Sequence, residues 1–395
     1  RLAVDGQSMW VGIKNPEPGQ TGLYLSTTGG AGLRRVETSS GLAAGIISDL
    51  RLDPADSEIV YASVVGSAAG NGVYKSTDGG ATWARLALPA AGGATRRILL
   101  AASGKTLAAG VVNGQEADAT VFYRSTDGGA TWISMKQPVT RDKDSSNGLT
   151  EQGLWPGGQF NNAALAIDPT DPNVIYVSGD RQPDNGGDEL FPNSIGAQAY
   201  SGRIFRGTYD PATGTTRWEP LTHVGTNGNS APHADSRSIF VDSTGRLIQT
   251  DDGGIYALSN PRGKGDWTPL NGNIQVSEVD ASSWNPLANV AVAGMQDTGT
   301  AYQIKGSTVW GQIYAGDGSA NAVNYRTYED RGIAVLYGSS QYMGALVRCR
   351  MNRDGSVDAA STTWLDLYNG GQKLNNNKSE WTFYPSLALN QADQT

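Results

Sequence analysis

Ser76-Thr77-Asp78-Gly79-Gly80-Ala81-Thr82-Trp83 recurs letter for letter at Ser125 to Trp132. Each copy follows an aromatic segment, Val73-Tyr74-Lys75 in one case and Phe122-Tyr123-Arg124 in the other, and the two copies start 49 residues apart. A period of roughly 20–50 residues marks a repeat architecture, in which each unit buries its faces against its neighbours. In such a segment the aspartate accepts backbone N–H groups and the glycines take positive φ. The threonine and tryptophan pack the turn onto the sheet. Asp78 and Asp127 therefore read as turn-formers and not as catalysts.

Outward from these copies, three landmarks repeat. An apolar strand ends in Asp-Pro or similar, a second strand of the Val-Ile-Tyr-Val type follows, and an aromatic strand leads into the turn and a closing tryptophan strand. The clearest unit runs Leu50-Arg51-Leu52-Asp53-Pro54, Ile59-Val60-Tyr61-Ala62, Val73-Tyr74 and Trp83. Other units close at Trp132, Trp218, Trp267, Trp310 and Trp364, and a degenerate first unit carries Ser26-Thr27-Thr28-Gly29-Gly30. Seven units of about four short strands predict an all-β fold, a β-propeller of seven four-stranded blades forming one domain over residues 1–395. Leu387-Ala388-Leu389-Asn390 reads as the start of one more strand. Residues 387–395 then either close the ring or open a further repeat, which would make eight blades if the chain continues.

Composition narrows the function classes. The chain has 395 residues, 52 glycines and 10 tryptophans, with only 17% of residues charged and a net charge of −8. That acidity argues against nucleic acid as a partner. No apolar run is long enough to insert into a membrane as a helix. A single cysteine, Cys349, rules out an internal disulfide. A chain beginning at Arg1 and nearly free of cysteine reads as an extracellular or cell-surface protein whose signal peptide has been removed.

The turn motif resembles the Asp-box, or BNR repeat, of sialidases, xyloglucan-cleaving glycosidases, sortilin-type receptors and a photosystem assembly factor. The resemblance implies a propeller scaffold carrying unrelated functions. With strands named A to D from the centre outward, the Asp-box joins C to D on the same side as the A–B turn. The B–C and D–A connections then share the opposite face, where loops on a rigid scaffold carry function. Asp180, Arg181, His233, Asp235, Arg237, Asp251, Asp252, Gln296, Asp297 and Asp317 are expected to meet there.

Thr250-Asp251-Asp252-Gly253-Gly254-Ile255-Tyr256 resembles the Thr-Asp-x-Gly-Gly-x-Tyr segment of xyloglucanase-type propellers, which implies a catalytic carboxylate at Asp251. Glycoside hydrolysis uses two carboxylates, so Asp297, Asp235 or Asp180 would supply the second. The resembling glycosidases place acid and base on two propellers, whereas this chain holds one. His233, Arg237, Asp180, Arg181, Gln296, Asp317, Trp155 and Tyr342 are the expected substrate contacts, because sugars stack on aromatic planes while carboxylates and amides bond their hydroxyls. Sialidase chemistry wants three arginines on the substrate carboxylate, and only Arg181 and Arg237 fall clearly on this face. No cofactor is required. Calcium is the one metal the sequence suggests, through Asp180, Asp184 and Asp188 in one loop. The expected activity is carbohydrate-directed, with a glycan or polysaccharide as partner and hydrolysis through the paired aspartates. The alternative is a non-catalytic interaction or structural module, with other surface proteins as partners, in a larger surface assembly.

Overall fold

The computed structural model describes all residues except 16, 18, 68, 90, 115–119, 145–147, 156–159, 185–190, 275, 370, 376–380 and 391–395. Among the described residues the strands form seven four-stranded antiparallel sheets and two two-stranded hairpins. Every four-stranded sheet is a meander of consecutive strands. The chain divides into two compact units, Arg1–Gly272 and Asn273–Thr395. The first holds five of the four-stranded sheets and the second holds two.

In the first unit the innermost A strands are Leu2–Asp5, Ile46–Asp53, Arg97–Ser103, Ala164–Asp168 and Ser238–Val241. They line a cavity of about 240 Å³. The core lies between consecutive sheets, because alternation along each strand sends one set of side chains to each neighbour. Trp10, Leu23 and Leu50 pack with Val60, Tyr74 and Trp83 between the first two sheets. Leu99, Phe122 and Met135 pack with Leu165, Val177 and Phe205 between the third and fourth. The D-strand tryptophans reach back to the preceding sheet. Trp218 donates its indole N–H to Met135 O (3.1 Å), and Trp267 donates to Leu221 O (2.7 Å). These two bonds satisfy both indole N–H groups inside an apolar seam.

The two octapeptides form the same turn. Ser76 donates to Asp78 Oδ1 (2.7 Å), whose carboxylate accepts the Thr82 backbone N–H (2.8 Å) and hydroxyl (2.5 Å). Asp127 repeats this with Ser125 and Thr131 at 2.7, 2.9 and 2.5 Å. These bonds stabilise the charged form and hold both carboxyls well below the ordinary range, Asp78 at about 2. Gly79 and Gly80 take φ of 68° and 97°, and a Cβ on Gly80 would sit 2.9 Å from Trp10 Nε1. The first sheet keeps the turn without the aspartate, since Gly30 N–H still donates to Ser26 Oγ (3.1 Å).

One set of bonds sorts the faces. Gly79 N–H donates to Glu58 O (3.0 Å), Gly29 N–H to Gln7 O (2.8 Å) and Gly128 N–H to Lys105 O (2.8 Å). In each of these sheets the C–D turn is thus bonded to the A–B corner. The B–C and D–A connections emerge at the other end of the strands.

Two local readings differ from the structure. Residues Leu387–Asn390 form no strand; they lie after the short hairpin Tyr368–Asn369/Gln372–Lys373, and residues 391–395 lie outside the described ones. The long connection before the fourth sheet contains a hairpin, Thr140–Asp144 with Gly148–Gln152. Its base is held by Arg203, fully buried, which donates to the carbonyls of Gly153 (2.5 Å) and Gln152 (2.6 Å) and to Thr140 Oγ1 (3.0 Å). Burial pushes this guanidinium down to about 9.

Candidate functional site

The site in the first unit is built where the A strands of the fourth and fifth sheets begin. Asn162 stands two residues before the strand Ala164–Asp168, and Asp235 three residues before Ser238–Val241. Asp180 lies near the end of the fourth sheet's B strand, Asp171–Arg181. Ser178 and Ser236 exchange a buried hydrogen bond of 2.6 Å, and Asp235 N–H donates to Asp180 O (3.1 Å). These contacts fix the two acidic residues against each other.

Asn162 ties the polar groups together. Its Nδ2 donates to Asp235 Oδ1 (2.5 Å) and Asp180 Oδ1 (3.2 Å), while its Oδ1 accepts from Arg237 Nη1 (2.7 Å). Arg237 makes a bidentate pair with Asp252, Nε to Oδ1 at 2.8 Å and Nη2 to Oδ2 at 2.9 Å. Asp235 adopts left-handed backbone, φ 62°. Burial pushes its carboxyl up to about 7, and a hydrogen bond with the Asp180 carboxyl acts in the same direction. Burial and the neighbouring Asp180 carboxyl thus both favour the protonated form of Asp235.

The Asp251 segment runs alongside. Arg237 N–H donates to Thr250 O (2.8 Å), so residues 233–237 and 250–252 lie side by side. The strands Leu247–Asp251 and Gly254–Leu258 extend through most of the expected loop, leaving a two-residue turn at Asp252-Gly253. Asp251 Oδ1 accepts Gly253 N–H (3.0 Å) and Oδ2 accepts the Gln249 amide (3.1 Å). Burial still raises its carboxyl to about 6; those bonds and the nearby His233 ring act against the rise. Gly253 lets the turn close on His233, since a Cβ there would sit 2.5 Å from the His233 Cβ. His233 Nδ1 lies 3.1 Å from Ala234 O.

The remaining expected residues have different surroundings. Arg181 stacks over the Tyr200 ring at 4.5 Å, and the Tyr200 hydroxyl lies 3.5 Å from Asp184 Oδ2. Trp155 lends its carbonyl to Asp180 N–H (2.7 Å) from a left-handed backbone, φ 54°. Asp188 lies outside the described residues, and among the described residues no group of three His, Cys, Asp or Glu side chains could hold a metal ion. His223, the other histidine, is buried and bonded to Ser201 Oγ (2.7 Å). Asp297, Gln296, Asp317 and Tyr342 belong to the second unit. There Asp297, at φ 57°, donates its N–H to Asp317 Oδ1 (3.1 Å), and Gln296 Oε1 accepts from the Tyr384 hydroxyl (3.4 Å). Tyr342 packs edge-on against Phe383 at 5.4 Å.

Asn162 is the centre of the first unit's network, yet it was not among the expected substrate contacts. Its signal was positional: like Asp235, it sits just ahead of an innermost strand.

The meander sheets, their inter-sheet cores and the face-sorting bonds define a β-propeller. Comparison with solved structures agrees. The chain superposes on the GH74 enzyme of Niastella koreensis with a TM-score of 0.54 at 18% identity, covering 95% of this chain and 51% of that one. The chain thus spans about half the length of that enzyme. Further matches are an ancestral GH74 enzyme (TM-score 0.35, 13% identity, 100% of this chain and 65% of that one) and YCF48 from Cyanidioschyzon merolae (TM-score 0.34, 14% identity, 84% and 93%). No family model matches the chain, and no curated protein matches its sequence. No helix among the described residues is long and apolar enough to cross a membrane.

Proposed function

We propose that this chain is a carbohydrate-directed Asp-box propeller of the extracellular or cell-surface space. In this reading its B–C and D–A face binds a polysaccharide and cleaves a glycosidic bond. The observation that carries the reading is the Asn162-centred network. It sets Asp235, whose carboxyl is pushed up to about 7, against Asp180, next to the segment bearing Asp251. Asp235 donates its proton to the glycosidic oxygen as the sugar leaves, and Asp251 takes a proton from the attacking water. Arg237 and Asn162 orient the acid, while His233, Arg181 and Trp155 contact the substrate. Likeness to the Niastella GH74 enzyme supports the scaffold and, with it, the substrate class.

The test is release of reducing ends from neutral β-glucans, xyloglucan included, by the parent, Asp235→Asn and Asp251→Asn. An acid near 7 and a base near 6 give a narrow bell-shaped profile with its maximum between those values. Each variant loses at least about 100-fold in rate. Parent-like rates in both variants would overturn the assignment.

One observation favours a second reading, a non-catalytic binding module. Asp251 accepts hydrogen bonds from Gly253 and Gln249 as an ordinary turn-capping aspartate does. A parent that binds glycans but releases no reducing ends would establish it.

A further inference from the structure

A second pocket, of about 770 Å³, opens on the same face of the first unit. Its walls include Arg1, Lys14, Arg96, Arg97, Phe160 and Asn161, and among the described residues no aspartate or glutamate lines it. Four cationic side chains around one pocket stand out in a chain of net charge −8. Lys14 and Arg96 are exposed, whereas Arg97 is only 6% exposed. Arg97 Nη1 donates to Phe160 O (3.0 Å) and Asn161 O (2.7 Å), but its buried Nε has no partner among the described residues. The carboxylate of Asp49 is spent on Arg51 (3.0 Å) and on the Leu100 N–H (2.9 Å). Burial, together with the charges of Arg1, Arg51 and Arg237, therefore pushes the Arg97 guanidinium down to about 10, and Asp49 offsets this only in part. A buried cation among cations, with one donor left over, is a site that lacks its counter-charge.

We propose that this pocket binds the carboxylate of a uronic acid residue on the polysaccharide whose backbone lies across Asp235. The two places are adjoining. Asn161 lines the basic pocket, and the next residue, Asn162, holds Asp180 and Asp235. Consecutive Cα atoms are about 3.8 Å apart, so one sugar chain reaches both. The planar guanidinium of Arg96 offers paired N–H donors to a carboxylate, and Lys14 adds a point charge. The identity of the ligand as a sugar rests on the proposed function; the preference for a carboxylate rests on the pocket alone.

Calorimetric titration tests this with three probes, hexagalacturonate, cellohexaose and a sulfated galactan hexasaccharide that carries no carboxylate. The proteins are the parent, Lys14→Ala, Arg96→Ala and Asp235→Asn. All three substitutions lie at side chains that no sheet core uses. Hexagalacturonate should bind the parent most tightly, and its affinity should fall as salt rises. Lys14→Ala and Arg96→Ala each weaken it by about tenfold, with cellohexaose unchanged. Asp235→Asn keeps the parent's preference for hexagalacturonate over cellohexaose. Equal affinity for hexagalacturonate and cellohexaose overturns the proposal, as does tighter binding of the sulfated probe or parent-like affinity in both basic-residue variants. Carboxylate binding that survives while no glycan is cleaved would sink the hydrolase reading and leave the pocket standing. Cleavage of neutral glycans with no uronate preference would do the reverse.

Discussion

Replacing Asp235 with asparagine should stabilise the protein at alkaline pH and leave it unchanged in acid. The carboxyl moves from its ordinary 3.8 to about 7 on folding. Full burial would make that cost the ionised form about 4 kcal/mol. Asp235 is only half-buried, so solvent screening reduces the figure to about 2 kcal/mol. The sign follows from proton counting. Below 3.8 the group is protonated in both folded and unfolded chains and contributes nothing. Between 3.8 and about 7 the unfolded chain releases its proton first, so stability falls as pH rises, and it levels off above 7. Asparagine does not titrate. Its Oδ1 still accepts from Asn162, and its neutral amide sits beside Asp180 without the cost of a second buried charge. Urea unfolding, followed by tryptophan fluorescence at pH 4, 6 and 8, measures the difference. The variant should match the parent at pH 4 and exceed it by about 2 kcal/mol at pH 8. A pH-independent difference, or a variant less stable than the parent at pH 8, refutes the burial cost assigned to the Asp235 carboxylate.

Two further outcomes concern the scaffold. A Cβ on Gly179 would sit 1.9 Å from Leu154 O, so Gly179→Ala forces the segment under Asp180 to move. It should cost about 3 kcal/mol in thermal or urea unfolding and weaken glycan binding with it; parent-like stability would mean the two segments are not in contact. Asp78→Ala removes the acceptor for the Thr82 N–H and hydroxyl and should cost about 1 kcal/mol. Glycan binding should be intact, because that turn lies at the opposite end of the strands. The depressed Asp78 carboxyl contributes stability that is present above 3.8 and lost as pH falls through about 2, so the parent and variant curves should converge in strong acid.

The architecture was legible because its signals are local. Asp78 and Asp127 announce their turns through neighbours two and four residues away, and short apolar runs between glycines mark the strands. The hairpin at Thr140–Asp144 and Gly148–Gln152 escaped notice because Arg141, Asp142, Lys143 and Glu151 give it no apolar alternation. What holds it is Arg203, more than fifty residues along the chain from Thr140 and Gln152. The site was legible in part. Asp180, Asp235, Arg237 and Asp251 announced themselves as charges in loops facing one way. Asn162 did not, because its role depends on B-strand and D–A segments meeting across a sheet boundary. Arg97 directly precedes the apolar run Ile98-Leu99-Leu100, and only its burial beside other cations reveals the basic pocket. The left-handed backbone at Asp235 and Asp297 follows from closure of the surrounding chain and has no sequence signature, since neither is glycine. The division at Gly272 likewise interrupts no repeat landmark.

The central claim is that Asp235, Asp180 and Asp251 face a bound sugar. Crystals of the Asp235→Asn variant soaked with the tightest-binding oligosaccharide of the panel test it most directly. The predicted result is a sugar ring whose linking oxygen lies within hydrogen-bonding distance of residue 235, with Asn162 and Asp251 beside it. A sugar bound elsewhere, with residues 235 and 251 contacting only protein, would contradict it.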